Sequence, residues 1–266
     1  MYQEAQRLFA AGKIEAAIVL LDDDKLRQAA EQAQKAAEQA QKALTDAIQG
    51  WRLKANLFTL KFRFEEAEKA YETALGYVNR ESNPQLWAQT EVDVGITHYE
   101  LGIRVEGKAG NEHLAAAVIA YRSALEVYTR EQLPQDWAGT QNDLGAALRD
   151  QAARTEGTKG AELLAQAVSA CRSALEVYTR QELPKDWAET QNNLANALSD
   201  QAARTEGPKG AELFAQAVIA FRSALEVYSA EAFPLSHEKT EKQLKECESL
   251  LMQAKLKLNK VKQRSQ

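Results

Sequence analysis

Residues 121–130 read YRSALEVYTR, and the segment returns as CRSALEVYTR at 171–180 and as FRSALEVYSA at 221–230. The spacing is 50 residues each time, and prolines at positions 84, 134, 184 and 234 keep it. Self-similarity at one fixed period is the signature of a repeat architecture. The sequence therefore predicts an array of similar units.

Each repeated unit is predicted to contain two helices. The first is expected over 134–154, because a proline suits a first helical turn and apolar residues such as Leu144 and Leu148 recur at helical spacing. The second is expected from about residue 161 to 180, after the glycines of RTEGTKG at 154–160. One helix pair cannot bury its apolar face alone, so neighbouring pairs are expected to stack into an all-α solenoid.

The composition excludes several classes of protein. With 13 glycines and 5 prolines, the chain has too few turn residues for a β-sandwich or a doubly wound α/β fold. Two cysteines, Cys171 and Cys247, cannot build a disulfide scaffold or a four-cysteine zinc site, and such usage fits the reducing cytoplasm where we expect the protein. No apolar run is long enough for a membrane span, so no membrane partner is expected.

The charge balance argues against nucleic acid as a partner, since the formal net charge is −5. The exception is a basic tail, which we expect to be a solvated, frayed helix end. Its basic residues are Lys255, Lys257, Lys260, Lys262 and Arg264.

The units resemble tetratricopeptide repeats, whose usual length is about 34 residues. Residues that fit the ordinary spacing are Trp51, Ala55, Phe58, Ala67, Tyr71 and Ala74. Residues that fit with about ten extra residues between the helices are Leu144, Gly145, Leu148, Ala167, Cys171 and Ala174. TQNNLANAL at 190–198 is especially similar to the longer repeats of kinesin light chain and of bacterial signalling proteins. The resemblance implies a right-handed solenoid of antiparallel helix pairs, a superhelix whose first helices line a concave groove.

These observations predict six segments. They are a half-repeat with a long Ala/Gln-rich helix at 1–49, a repeat of ordinary length at 50–83, long repeats at 84–133, 134–183 and 184–233, and a capping helix with the basic tail at 234–266.

The Ala/Gln-rich helix, residues 25–49, carries a heptad-like seam of alanines. The seam consists of Ala29, Ala33, Ala36, Ala40, Ala43 and Ala47. Such a seam lets another helix approach closely, and we predict that it packs within the chain; the alternative is self-association into an assembly scaffold. The helix is expected to continue past Gly50 into the Trp51 helix, because one glycine costs only about 1 kcal/mol.

The resemblance implies that the groove binds an extended peptide or protein segment. Candidate groove residues, counted from Leu144 and Leu194, are Gln89, Val92, Ile96, Tyr99, Asn142, Asp143, Arg149, Glu189, Asn192, Asn193, Asn196, Lys239 and Lys242. Amides carry both a donor and an acceptor for a peptide backbone, and the basic residues would meet carboxylates. Val92, Ile96 and Tyr99 would offer an apolar end.

One comparison within the chain favours this face. Between 134–183 and 184–233 the core residues of the first helix match, whereas four groove positions differ. The differing pairs are Gly139/Glu189, Asp143/Asn193, Ala146/Asn196 and Arg149/Ser199. A retained framework with a varied lining favours binding, although neutral drift of an exposed face leaves the same pattern.

No motif points to catalysis, so we expect no enzyme, no cofactor and no metal site. The three histidines, His98, His113 and His237, show no ligand spacing and are interpreted as surface or partly buried side chains. Cys171 is interpreted as a small core filler, and the loops EGTKGAE and EGPKGAE as helix–helix turns. Trp87, Trp137 and Trp187 are expected to pack between units.

The predicted function is therefore a non-enzymatic protein-interaction module with a protein or peptide partner. We expect a monomer, with a homo-oligomer formed through 25–49 as the alternative. A second alternative is the sensor or docking part of a larger bacterial signalling system.

Overall fold

The computed structural model describes residues 1–264, without the side chains of Val261, Lys262 and Arg264. Over this range the chain is all-α, with eleven helices and no strand. The helices are α1 (Tyr2–Ala10), α2 (Ile14–Leu20), α3 (Asp23–Leu60), α4 (Phe64–Tyr77), α5 (Pro84–Arg104), α6 (Gly107–Leu125), α7 (Pro134–Ala153), α8 (Gly157–Ala174), α9 (Pro184–Ala203), α10 (Gly207–Leu225) and α11 (Pro234–Arg264). None of these helices is both apolar and long enough to cross a bilayer.

The chain divides into two compact units. The N-terminal unit, Met1–Trp51, contains α1, α2 and most of α3. The repeat array, Arg52–Gln266, contains the end of α3 and the helices that follow.

Within the repeat array each helix packs against the next one in sequence. The pairs α5/α6, α7/α8 and α9/α10 form the units, and α6 on α7, α8 on α9 and α10 on α11 join them. One apolar core runs through these layers, from Tyr121 through Leu148, Leu164 and Leu198 to Phe221. The predicted all-α solenoid is confirmed, because each unit completes its core with residues of its neighbours.

The helix boundaries depart from the prediction in the second helix of each unit. The first helix, α7, begins at Pro134 and ends at Ala153, close to expectation, whereas α8 begins at Gly157 and ends at Ala174 instead of spanning about 161–180. Gly157 has a φ of +65°, which glycine adopts without strain, so it serves as the first residue of α8. The second helix therefore uses most of the segment assigned to the turn.

The prediction that about ten extra residues lie between the two helices of a unit is wrong. The link from α7 to α8 is residues 154–156 alone. The added length lies in the helices, since α7 has 20 residues and α8 has 18, whereas α4 of the shorter repeat has 14. Longer helices bury more apolar surface between units than a longer loop would.

Small residues allow the two helices of a unit to approach closely. A Cβ at Gly145 would lie 2.6 Å from the Cys171 Sγ, and a Cβ at Gly95 would lie 2.6 Å from the Tyr121 ring. Cys171 is fully buried, and burial raises the pKa of its thiol to about 12. This confirms that Cys171 is a core filler.

The predicted packing between units is found for one of the three tryptophans, whereas Trp87 and Trp187 pack on clusters of their own units. Trp137 packs on a small cluster made by Ala88, Ala124 and Tyr128 of the preceding unit. The indole thereby fills the junction between two successive units.

In the N-terminal unit, α1 packs against α2, and α3 continues through Gly50 as predicted. All six seam alanines are exposed. Within the N-terminal unit no other helix covers the seam, so the predicted packing is not found there.

Candidate functional site

The first helices of the repeat array form a continuous row. Helix α5 packs on α7, α7 on α9 and α9 on α11, and no comparable packing joins α6 to α8 or α8 to α10. Between those second helices, long side chains reach across, as Arg122 does to Gln166 and Arg172 does to Gln216. The first helices therefore lie closer together than the second helices, as is expected for helices on the inner side of a solenoid. We call their shared surface the inner face.

The predicted groove residues differ in exposure. Exposed are Gln89, Ile96, Glu189, Lys239 and Lys242. Half-buried are Val92, Tyr99, Asp143, Arg149, Asn192, Asn193 and Asn196, whereas Asn142 is buried.

Amide side chains of the inner face bind one another across successive first helices. The Asn193 Nδ2 donates to the Asn142 Oδ1 at 3.0 Å, and the Gln243 Nε2 donates to the Asn196 Oδ1 at 2.8 Å. The Thr240 hydroxyl donates to the Asn192 Oδ1 at 3.1 Å. These bonds between amides were not predicted from the sequence. A signal for them was available, because aligning the units at their 50-residue period places amide residues of neighbouring units side by side.

Charged groups at the α5 and α7 end of the inner face are also paired. Arg52 donates to Asp93 at 2.6 Å through Nη2 and to the Gln89 Oε1 at 2.9 Å through Nη1. The Arg149 Nε donates to Asp150 at 2.9 Å, and Asp150 also accepts from the Tyr99 hydroxyl at 2.8 Å. Arg149 was expected to meet ligand carboxylates, but its charge is balanced within the chain.

Asp143 differs from its counterparts in the neighbouring units. Asp93, one unit earlier, pairs with Arg52, and Asn193, one unit later, bonds Asn142. The residue of α5 that corresponds to Asn142 is Val92, which cannot donate to Asp143. The polar contact of Asp143 is a long one, 3.4 Å from its neighbour's Asn142 Nδ2.

The surroundings of Asp143 favour its neutral form. Burial raises the pKa of Asp143 to about 7, and the negative charge of Glu189 adds to the effect. Near neutral pH the Asp143 carboxyl is therefore partly protonated, and a nearby cation would favour its ionised form.

Tyr178 completes this part of the inner face. A Cβ at Gly139 would lie 3.0 Å from the Tyr178 hydroxyl, which donates to the Gln135 carbonyl at 3.3 Å. Burial raises the pKa of Tyr178 to about 12, and four carboxylates contribute. They are Asp186, Asp143, Glu189 and Asp136, and we call them, with Tyr178, the acidic corner. Among the described residues, none of the four forms an ion pair with a lysine, an arginine or a histidine.

A second cluster of titratable side chains, apart from the acidic corner, consists of Glu68 on α4, His98 on α5 and His113 on α6. The His98 Nδ1 is 3.1 Å from the His113 Nδ1 and 3.4 Å from the Glu68 Oε1. Burial, followed by the charge of His113, lowers the pKa of His98 to about 4, so the contact with Glu68 is not an ion pair at neutral pH. Burial raises the pKa of Glu68.

The proximity of Glu68, His98 and His113 was not predicted from the sequence. His98 and His113 are 15 residues apart on two helices, and Glu68 comes from a third. The sequence carries no local ligand spacing, because the hairpin between α5 and α6 creates the proximity.

The basic tail lies only partly within the described residues. Lys255, Lys257 and Lys260 are exposed on α11, and the side chains of Lys262 and Arg264 lie outside the described residues.

In comparisons with models of protein families and with curated proteins, neither a family model nor a curated protein matches this chain.

Proposed function

We propose that the repeat array is a non-enzymatic interaction module of the tetratricopeptide type, and that its inner face holds an extended peptide carrying a lysine or an arginine. The observation that carries this proposal is the acidic corner, where Asp143 is half-buried on the inner face and has no cationic partner among the residues that the structure describes.

A cationic side chain fits this corner for an energetic reason. A carboxyl group removed from water without a partner costs free energy, and a bound ammonium or guanidinium group offsets that cost through a charge-assisted hydrogen bond. Glu189 lies on the next first helix and is exposed, so it supplies further acceptor oxygens to the same cation. Gly139 allows the Tyr178 hydroxyl to approach α7 closely, since a Cβ at this position would lie 3.0 Å from it.

The rest of the inner face fits an extended backbone. Ile96 is exposed one unit before the corner and offers an apolar contact, whereas Lys239 and Lys242 lie beyond it on α11 and would meet peptide carboxylates. The face thus carries an apolar, an acidic and a basic part in order along the array. Such an order favours one direction of a bound chain.

Selection of random peptides on the immobilised full-length chain tests this proposal. We expect the selected peptides to be enriched in lysine and arginine. In fluorescence anisotropy, the double variant Asp143→Asn, Glu189→Gln should bind them at least about 10-fold more weakly, the effect of losing about 1.4 kcal/mol.

The matched control removes two carboxylates from second helices, with Glu162→Gln on α8 and Glu212→Gln on α10, both of which are exposed. It should bind like the wild type. Equal loss of affinity in both double variants would mean that net charge drives binding. Unchanged binding by the Asp143, Glu189 variant would place the peptide elsewhere.

A second candidate function is self-assembly through the alanine seam of α3. The observation that favours it is the exposure of all six seam alanines. Light scattering over a range of concentrations should then show a mass that rises with concentration. Ala36→Lys with Ala40→Lys should abolish the rise, whereas Gln34→Lys with Gln41→Lys, on the opposite face of the helix, should not. A constant monomer mass would exclude this candidate.

A further inference from the structure

Three helices of the repeat array each contribute one metal-ligating side chain to a single point. Glu68 on α4, His98 on α5 and His113 on α6 each offer one ligand atom, and these atoms all lie within 4.8 Å of one another. Within the described part of the chain no other set of three histidine, cysteine or acidic side chains does so. We infer that Glu68, His98 and His113 form a binding site for a divalent transition-metal ion of the zinc class, which links α4, α5 and α6.

The spacing of the ligand atoms fits one small ion. Zinc lies about 2.0–2.1 Å from imidazole nitrogen and carboxylate oxygen, so two ligand atoms on a tetrahedron are about 3.3–3.4 Å apart. The His98 Nδ1 is 3.4 Å from the Glu68 Oε1 and 3.1 Å from the His113 Nδ1. Two of the three distances between ligand atoms thus match a tetrahedral ion, and the third is within 4.8 Å.

The imidazoles of His98 and His113 face each other through their Nδ1 atoms. Two Nδ1 atoms at 3.1 Å cannot both carry a proton toward each other, so at least one presents a lone pair. The rings are tilted by 35° with their centroids 5.4 Å apart, which is not a stacked core packing. When an ion binds, each Nδ1 donates its lone pair to the metal, and the imidazole that carried its proton on Nδ1 takes the neutral tautomer protonated on Nε2.

The electrostatic surroundings favour a cation. Glu65 and Glu72 lie near Glu68 on α4, and Lys69 opposes them with one positive charge. The site is half-buried, with 15% of the His98 side chain and 22% of the Glu68 side chain exposed. An ion can therefore enter from solvent, yet its ligands are held by packing.

The ligand set selects the class of metal. Two imidazoles and one carboxylate suit zinc and its first-row neighbours, whereas magnesium and calcium prefer oxygen ligands alone. The thiols play no part, because Cys171 and Cys247 are buried in the core cluster. Three protein ligands leave a fourth tetrahedral position for water or for a side chain of a partner.

Isothermal titration of the full-length chain with ZnCl₂ tests the site. We expect one equivalent of Zn²⁺ to bind and the melting temperature to rise, because the ion binds the folded state. His98→Asn, His113→Asn and Glu68→Gln should each weaken binding at least about 10-fold, since loss of even an outer-shell partner costs 10–100-fold. The matched control is His237→Asn, because His237 lies on α11, away from the site, with its Nδ1 2.7 Å from the Tyr228 carbonyl. This variant should bind Zn²⁺ like the wild type.

Two further results decide the identity of the ligands. X-ray absorption of the zinc-loaded wild type should show nitrogen and oxygen neighbours with two imidazoles, and this measurement needs no variant to fold. Sulfur in the first shell, absence of Zn²⁺ binding by the wild type, or equal binding by the His98→Asn, His113→Asn double variant would each overturn the site.

Discussion

The side-chain amide of Asn193 donates a 3.0 Å hydrogen bond to the Asn142 Oδ1, which joins α9 to α7 across two units of the array. This bond is one of several polar contacts between successive first helices, which include Thr240 with Asn192 and Gln243 with Asn196. The inner face is therefore both a candidate binding surface and part of what holds the units in register. Its substitutions are expected to change stability as well as binding.

Asn142→Ala should destabilise the repeat array by about 1–3 kcal/mol, because it leaves the half-buried amide of Asn193 without its acceptor. The decrease in the urea midpoint measures this effect. Gln181→Ala, at an exposed position between units, is the control and should leave the midpoint within the range of about 0.5 kcal/mol typical of surface sites. Equal midpoints for the two variants would show that the bond between α7 and α9 contributes nothing.

Arg52→Ala should destabilise the array by about 3–5 kcal/mol, because Asp93 would keep a largely buried carboxylate without its partner. The side chains of Arg52 and Asp93 are 8% and 19% exposed. The double variant Arg52→Met, Asp93→Leu should recover most of the loss, since an apolar pair of similar volume replaces a buried ion pair at little cost. A double variant as unstable as Arg52→Ala would contradict this explanation.

Gly160→Ala should destabilise the array by about 1–3 kcal/mol or more through overpacking. A Cβ there would lie 2.2 Å from the Thr155 carbonyl oxygen and 2.1 Å from the Arg204 Nη1, which itself donates to that carbonyl at 2.9 Å. Gly76→Ala is the matched control, because nothing lies within 4 Å of its Cβ, and it should stabilise α4 by about 0.5–1 kcal/mol. Thermal unfolding of both variants measures the difference, and a stabilised Gly160→Ala would refute the close approach.

Asp143→Asn should stabilise the array increasingly as the pH rises from about 4 to about 7. The pKa of Asp143 is raised from its ordinary 3.8 to about 7, so between these values the folded state binds the proton that the unfolded state has lost. Raising the pH therefore costs the wild type stability, whereas asparagine, the residue of the next unit, has no proton to lose.

The gain should be on the order of 1–3 kcal/mol at pH 8 and should vanish below pH 4. Urea unfolding of the wild type and the variant at pH 4, 6 and 8 measures it, and an NMR titration of the Asp143 carboxyl gives its pKa directly. A gain that does not change with pH would mean that the carboxyl titrates at its ordinary value.

Features set by the 50-residue period were predicted from the sequence. The prolines marked the beginnings of α5, α7 and α9, and the helical spacing of Leu144 and Leu148 marked their buried side. The boundary at Gly157 was not predicted, because a glycine between helices and a glycine that begins one are alike in sequence and differ only in φ.

The chemistry of the sites was predicted less well, since it depends on pairs far apart in the chain. Asn193 and Asn142 are 51 residues apart, and Arg52 and Asp93 are 41 apart. The sequence could place each of these residues on a helix face, but it could not say which neighbour that face would meet.

By itself the sequence determined that the chain repeats, that each unit is a helix pair, and that the pairs must stack, because no single pair can bury its apolar side. Only the tertiary structure decided that Glu68, His98 and His113 converge, that Arg149 is already paired and that Asp143 is not. Helical periodicity is a local property of about four residues, whereas the partners of a charged group are set by packing between helices that are distant in sequence.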